Sequence, residues 1–270
     1  MRRQASALVR KVSGTLARKA TGVLVRRARG ALERRVAVRW DSGFYVTRDG
    51  LSTEIVLPNP FVKLQDARIG PKLAVLEFHA PDGRLVRRRA RVVRVGESRI
   101  VRVRQNSGLP PFGQVRVLWF HRAGEARGGN RTVFHWHYPG GMTLVHEKKE
   151  PRPPLVGRPT GSLRLGQGYM TLFGVPPDSA LDLYLVVTSQ DRVAARVALV
   201  TFGADDGVQA RSDEIEIAPW GTAFVDVRAL LGPHEKALAG PLAVDARHYA
   251  LSYYYFVRNR VDRTWQAQHL

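Results

Sequence analysis

Two segments of the chain match one another without a gap, and this internal duplication is the strongest limit on how the chain can fold. The first segment covers residues 73–108 and the second covers residues 197–232. A repeat of this kind predicts that one structural unit occurs twice. The matched positions are Phe78 with Phe202, Asp82-Gly83 with Asp206-Gly207, Val101 with Val225, Val103 with Val227, Arg104 with Arg228, and Gly108 with Gly232.

Each copy predicts three strands joined by an Asp-Gly turn and a second, glycine-centred turn. An Asp-Gly pair between apolar runs favours a hairpin, because glycine readily adopts the positive φ that tight hairpin turns require. Runs rich in β-branched and aromatic residues predict further strands at residues 115–121, 181–188 and 250–257. Beyond residue 40 we expect only one helical turn, near residues 227–231.

This pattern resembles that of tandem immunoglobulin-like or fibronectin-III-like sandwiches. The predicted fold class is all-β, with two tandem immunoglobulin-like β-sandwich domains that arose by duplication, preceded by a basic N-terminal helical arm. The predicted segments are the arm at 1–39, a first sandwich at 40–149, a Pro-rich linker at 150–160 and a second sandwich at 161–270. A resemblance in pattern alone implies no function.

Positive charge is concentrated in the first half of the chain. Residues 1–39 hold 12 basic and one acidic residue, residues 40–149 hold 19 and 9, and residues 150–270 hold 12 and 13. A basic surface attracts polyanions such as an anionic membrane, nucleic acid or the acidic face of a protein. The sequence therefore predicts an anionic partner for the arm and the first sandwich.

The arm repeats every eight residues between residues 7 and 38, and it alternates apolar with basic positions. Apolar residues four apart suit one face of a helix, and basic residues suit contact with lipid phosphates. The predicted membrane-facing residues are Leu8, Val12, Leu16, Leu24 and Leu32. The predicted anion-binding residues are Arg10, Lys11, Arg18, Lys19, Arg26, Arg27, Arg34 and Arg35. Packing of this helix on its own domain is the alternative.

The two copies differ in the charge of one hairpin. The first copy is basic where the second is acidic, so we expect a possible partner interface, within one chain or between chains. Unrelated solvated surfaces are the alternative interpretation. The residues concerned are Arg87, Arg88, Arg89 and Arg91 in the first copy and Asp213, Glu214 and Glu216 in the second.

The segment Phe-His-Trp-His-Tyr at 134–138 is a candidate metal site. Alternate residues on a strand face the same way, so His135 and His137 share one face and could bind one metal ion. The simpler interpretation is that the aromatic residues fill the core while both histidines face solvent. A third ligand would be needed, and the histidines and acidic residue nearest in sequence are His121, His146 and Glu147.

The sequence contains no G-x-S-x-G elbow, no P-loop, no G-x-G-x-x-G at a strand–helix junction and no H-E-x-x-H motif. The chain has no cysteine, which excludes disulfides and thiolate metal ligands and fits a reducing compartment. We therefore predict a protein without enzymatic activity and without a cofactor.

The favoured hypothesis is a binding or structural protein, tethered to an anionic membrane by its arm, whose sandwiches bind a partner or self-associate. It would be cytoplasmic and peripheral at a membrane, although a basic, amphipathic N-terminus also fits organellar import. Two alternatives remain: a nucleic-acid-binding protein that uses the arm and the Arg87–Arg104 face, and a metal-dependent enzyme with a site at His135 and His137.

Overall fold

The computed structural model describes residues 36–59, 70–122, 132–146, 171–172, 179–190, 192–203, 207–232, 234, 241–246 and 251–269. These residues form four antiparallel sheets and one short α-helix, which confirms the predicted all-β class. The predicted arm up to residue 35 and the predicted linker lie outside the described residues.

The described part of the first half has eight strands and, after the fifth, a 3₁₀ turn at Gln105–Ser107. The strands are β1 Val36–Val46, β2 Ser52–Asn59, β3 Lys72–His79, β4 Leu85–Val93, β5 Glu97–Val103, β6 Phe112–Arg122, β7 Val133–Tyr138 and β8 Gly141–His146. Sheet A has the order β1-β6-β3-β4, and sheet B has the order β5-β2-β7-β8.

In the described part of the second half, nine strands form two further sheets. The strands are β9 Thr171–Leu172, β10 Leu181–Ser189, β11 Ala195–Phe202, β12 Val208–Arg211, β13 Ile215–Ile217, β14 Thr222–Asp226, β15 Leu242–Ala246, β16 Leu251–Asn259 and β17 Trp265–His269. Sheet C has the order β12-β11-β15-β9, with β13 also paired to β11, and sheet D has the order β14-β10-β16-β17. The helix α1, Val227–Leu231, follows β14 and matches the predicted helical turn.

Both halves have the same strand order. Strands β9 to β17 can be matched to β1 to β8 in chain order if β12 and β13 together count as the equivalent of β4. With this matching, sheet C has the strand order of sheet A, and sheet D has the strand order of sheet B. The 3₁₀ turn after β5 likewise corresponds to α1 after β14. The repeat seen in the sequence is thus a repeat of strand connections as well.

The strand order is not that of an immunoglobulin domain. In an immunoglobulin domain, the first strand lies at the edge of its sheet and pairs with the second strand. The strand order of that sheet is first, second, fifth and fourth. Here β1 pairs with β6 along its whole length, from Val36 opposite Arg122 to Val46 opposite Phe112. Strand β1 also begins four residues before the predicted domain boundary at residue 40. Its alternating Val36, Val38 and Trp40 suit a strand next to β6.

Sheets A and B enclose one core, so the first half is sandwich-like. Phe78 and Val117 of sheet A belong to the same buried cluster as Ile55 and Phe134 of sheet B. Gly43 permits this close approach, because a Cβ at this position would lie 2.2 Å from the ring of Phe134. Sheets C and D enclose a second core in the same way, which includes Leu199.

Sheet D is buried on both faces. In β16, Tyr255 packs into the core shared with sheet C, whereas Tyr254 and Phe256 belong to the core of the first half. A strand that is covered on both sides has no need of polar alternation, which explains the continuous apolar and aromatic run at residues 253–257. Near the C-terminus, Tyr254, Tyr255 and Trp265 are buried.

The junction between the halves is aromatic. The ring of Phe44 in β1 stacks on Phe224 in β14, with centroids 5.8 Å apart. Trp136 in β7 meets Phe256 edge to face at 5.1 Å. Hydrogen bonds join the same surfaces, because the amide of Gln190 donates to Ser42 Oγ at 2.7 Å. The two sandwiches therefore share apolar contacts across a packed interface.

The Asp-Gly turn of the first copy also belongs to this junction. The backbone N–H of Thr222 donates to the carbonyl of Pro81 at 3.0 Å. Gly83 has a φ of +82°, and a Cβ there would lie 1.8 Å from the carbonyl oxygen of Pro219. Only glycine can occupy this position without displacing the facing backbone.

A buried charged cluster lies beside this turn. Arg116 lies over the ring of Trp220 at 4.0 Å from its centroid and contacts Glu77 at 3.4 Å. His79 Nδ1 is 2.9 Å from the carbonyl of Gly83, to which it donates in its neutral form, while its Nε2 is buried without a hydrogen bond. Burial lowers the pKa of His79, and the nearby Arg116 lowers it further, although Glu77 and the hydrogen bond to Gly83 oppose this shift.

We expect His79 to make the protein less stable in acid. Because its pKa is lower in the folded state than in the unfolded state, the unfolded chain binds this proton more readily. The stability contributed by neutral His79 is therefore present above about pH 6.5 and is lost as the pH falls through the lower folded-state pKa. Urea unfolding from neutral pH to about pH 5 should show a shallower loss of stability in His79→Gln than in wild type.

The exposed residue His234 supplies the control. His234→Gln makes the same substitution at an exposed position and should keep the wild-type pH dependence. An equal pH dependence in wild type and His79→Gln would show that His79 does not carry this effect.

Candidate metal site and basic face of the first sandwich

Strand β7 presents two histidines on the outer face of sheet B. Phe134 and Trp136 are 1% and 0% exposed and point into the core, whereas His135 and His137 are half-buried on the opposite face. This alternation is the normal geometry of a strand. It confirms that the aromatic residues of the segment fill the core while the histidines face outward.

The start of β7 is fixed by a buried carboxylate. Asp41 in β1 accepts hydrogen bonds from the backbone N–H of Thr132 at 3.2 Å and from its hydroxyl at 2.9 Å. The indole N–H of Trp119 donates to the same carboxylate at 3.0 Å. Because Thr132 directly precedes β7, these bonds hold the strand that carries the histidines.

Strand β2 brings Glu54 to the two histidines. In the antiparallel register, Glu54 lies opposite His135, and Ser52 lies opposite His137. One ligand atom from each of Glu54, His135 and His137 lies within 4.8 Å of the others. Glu54 Oε2 is 3.2 Å from His137 Nε2, although this nitrogen has no aligned hydrogen bond. These three residues are called the His-Glu cluster below.

Arg102 of β5 orients the carboxylate of Glu54. Its Nε donates to Glu54 Oε1 at 2.6 Å, which leaves Oε2 directed at the histidines. This hydrogen bond is the largest cause that lowers the pKa of Glu54, so the carboxylate stays ionised. Burial lowers the pKa of His135, and the neighbouring His137 lowers it further. A neutral imidazole next to an ionised carboxylate is the state that a metal ion requires.

The third candidate ligand differs from those suggested by sequence proximity. His121 lies on β6, in the other sheet, and Glu147 lies outside the described residues. His146 ends β8 opposite Val133. Glu54 is 81 residues away from His135, and the only signal for it in the sequence was that it is the single charged residue of strand β2. The pairing of β2 with β7 is what brings these residues together.

Exposed apolar side chains surround the His-Glu cluster. Leu144 lies opposite His135 in the register of β7 and β8, and Met142 lies opposite His137. Leu144, Met142 and Ile100 of β5 are 56%, 49% and 50% exposed. The outer face of sheet B therefore combines three possible ligands with an apolar margin. The equivalent sheet D has no such open face, because both of its faces are buried.

A second feature of the first sandwich is the arginine-rich side formed by the edge strands β4 and β5, which we call the basic face. Glu97 is the one acidic residue between residues 85 and 104. The arginines are Arg87, Arg88, Arg89, Arg91, Arg94, Arg99, Arg102 and Arg104. Charged residues on edge strands also prevent edge-to-edge association of sheets.

Three of these arginines form ion pairs with carboxylates of their own half, namely Arg88 with Glu77, Arg99 with Glu97 and Arg102 with Glu54. Arg89 and Arg91 have no carboxylate partner among the residues that the structure describes. Burial lowers the pKa of Arg89, and Arg87 and Arg91 on the same side of β4 lower it further. Like charges are therefore crowded on the basic face.

The predicted acidic hairpin lies between β12 and β13. Asp213, Glu214 and Glu216 are exposed, and Glu214 is 3.9 Å from Arg196 of β11. The turn of the basic hairpin, at Pro81 and Gly83, contacts the connection from β13 to β14, at Pro219 and Thr222. The ion pairs described above join residues of the same half.

The predicted membrane-facing and anion-binding residues of the arm lie outside the described residues. No helix in the described ranges is long and apolar enough to cross a membrane. His146 and His269 end β8 and β17, the last described strands of the two halves.

The fold and these two surfaces define an all-β, two-sandwich protein with a basic face and a His-Glu cluster. No family model and no curated protein matches the chain. A search of solved structures found a D341A D367A calcium-binding mutant of β-glucuronidase 2 from Bacteroides uniformis, at 10% identity and a TM-score of 0.17. The match covers 87% of this chain and 26% of that chain, so this chain spans about a quarter of its length. A similarity this weak supports no conclusion about fold or function.

Proposed function

We propose that the protein is a non-enzymatic binding protein that attaches peripherally to an anionic membrane surface, with the basic arm and the basic face as its points of contact. The observation that carries the proposal is the row of arginines on β4. Arg89 and Arg91 are crowded by like charge and have no carboxylate partner among the described residues. Phosphate groups of a lipid surface would relieve this repulsion.

Apolar residues among the arginines favour a membrane over nucleic acid. Val92 is 58% exposed, Leu85 is 37% exposed and Ile100 is 50% exposed. Residues 85–104 contain no aromatic residue on which a base could stack. Exposed aliphatic side chains between basic ones match the headgroup and acyl regions of a bilayer.

The arm supports the same proposal. Its predicted helix alternates leucine with arginine and lysine, and it leads directly into β1 of the basic half. Two basic elements in one half of the chain would act together, because each additional contact with anionic lipid adds to the same binding energy. The second sandwich, whose sequence is nearly neutral, would remain available for a protein partner or for self-association.

We expect Arg91→Glu in the full chain to weaken binding to vesicles of phosphatidylcholine and phosphatidylserine by about tenfold or more, since each basic residue near such a surface contributes about 1 kcal/mol. Cosedimentation across a salt series measures this effect. Arg263→Glu is the matched control, because it makes the same change of charge at an exposed position in the second half.

The control should bind within about twofold of wild type, a difference of about 0.4 kcal/mol. Equal binding to pure phosphatidylcholine vesicles would contradict the membrane proposal. Tighter binding to duplex DNA than to anionic vesicles at the same salt concentration would replace it with the nucleic-acid alternative.

A further inference from the structure

We propose that Glu54, His135 and His137 bind one divalent transition-metal ion of the zinc class on the outer face of sheet B. This site adjoins the basic face through Arg102, which holds Glu54, but the proposal does not depend on membrane attachment. Two imidazole nitrogens and one carboxylate form a donor set that zinc accepts. Calcium and magnesium prefer all-oxygen sites, so the two histidines favour a transition metal.

The spacing of the donor atoms already approaches that of a metal site. Ligand atoms about 2.1 Å from a tetrahedral ion lie about 3.4 Å from one another. Glu54 Oε2 and His137 Nε2 are 3.2 Å apart. The three ligand atoms all lie within 4.8 Å, so rotation of His135 about its side-chain bonds would complete the set.

The pairing between His137 and Glu54 is unsatisfied as it stands. His137 Nε2 is buried and forms no aligned hydrogen bond, despite its proximity to the carboxylate. A buried polar atom without a well-aligned hydrogen bond is destabilising. A metal ion between the two groups would satisfy the nitrogen and the carboxylate together.

The surrounding residues hold the ligands in place. The backbone of β7 is fixed because Phe134 and Trp136, on either side of His135, are locked in the core. Arg102 holds Glu54 through Oε1 and leaves Oε2 free for the ion. Hydrogen-bonded carboxylates of this kind are common around metal ions, because the outer partner orients the ligand.

With three protein ligands, at least one coordination position of the ion would not be filled by the protein. This position would face the solvent side of sheet B, between the exposed side chains of Met142 and Leu144. An open position of this type is filled by water or by an added ligand. The second half cannot repeat the site, because the strand equivalent to β7 carries aromatic residues and both of its faces are covered.

Titration of the metal-free full chain with zinc against a chromophoric chelator tests the proposal. We expect one zinc ion per chain in wild type. His135→Ala, His137→Ala and Glu54→Gln should each weaken binding by at least about tenfold, because even the loss of an outer partner of a ligand typically has an effect of this size. His234→Ala, at an exposed position in the second half, should bind as wild type does.

Two further readouts make the outcome decisive. The absorption spectrum of the cobalt-substituted protein should indicate four or five ligands in wild type and should be lost in His135→Ala/His137→Ala. Circular dichroism of the metal-free variants checks folding, and these variants should fold because the histidines lie outside the core. No stoichiometric zinc in wild type, or undiminished zinc in the double variant, would overturn the proposal.

Discussion

Trp136→Ala is expected to lower the free energy of unfolding by about 3–5 kcal/mol, the usual range for loss of a fully buried aromatic side chain. Trp136 is completely buried and contacts rings from both halves. Its centroid lies 5.1 Å from that of Phe256, 5.7 Å from that of Tyr254 and 6.3 Å from that of Phe44. The substitution also leaves the carbonyl of Phe44 without the indole hydrogen bond, which is 3.2 Å long.

Urea unfolding followed by far-UV circular dichroism measures this loss. His135→Ala is the matched control, because it truncates the neighbouring residue of the same strand on its outer face. In metal-free buffer the control should change stability by less than about 0.5 kcal/mol, as is usual for surface positions. Similar effects of the two substitutions would contradict the burial that the structure assigns to β7.

Gly83→Ala is expected to weaken the junction between the halves. Gly83 has a positive φ, and alanine there costs about 1–2 kcal/mol on conformational grounds alone. Its Cβ would also lie 1.8 Å from the carbonyl oxygen of Pro219, so the facing backbone must move. We expect this movement to add about 1–3 kcal/mol, as is typical when an atom is forced into a packed site.

Gly96→Ala separates the two effects. Gly96 has a similar φ of +79°, yet a Cβ there would meet nothing within 4 Å. Gly96→Ala should therefore show the conformational cost of alanine at a positive φ without a steric clash of its Cβ. Thermal unfolding should show a clearly larger loss in Gly83→Ala than in Gly96→Ala, together with a broader or two-step transition as the halves separate. Equal losses would mean that the turn does not press on the second half.

Local features of the fold could be predicted from the sequence. The strand at residues 181–188, the helical turn at 227–231 and the division of residues 134–137 between core and surface all depend on the spacing of nearby residues. Short-range patterns of this kind follow from the periods of strands and helices. The duplication also predicted that the second half would repeat the strands of the first.

The arrangement of these elements could not be predicted in the same way. The order of β1 beside β6 is set by contacts between residues far apart in the chain, and the local pattern gave no strand order. The junction was equally hidden, because apolar residues at 253–257 indicate burial without showing which surface covers them.

The His-Glu cluster shows the same limit. His135 and His137 are two residues apart, so a strand places them on one face by its period alone. Glu54 joins them through the register of β2 against β7, and a shift of one residue would have turned it into the core. Register depends on the whole sheet, so the third ligand could be identified only from the structure.

The burial of sheet D on both faces has a consequence for the history of the chain. Duplicated units that stay independent can be lost, exchanged or recombined one at a time. Here the face of Tyr254 and Phe256 is covered only while the first half is present, and Phe44 is covered only while the second half is present. Loss of either copy would therefore expose buried aromatic residues of the other, so we expect the two copies to be retained together.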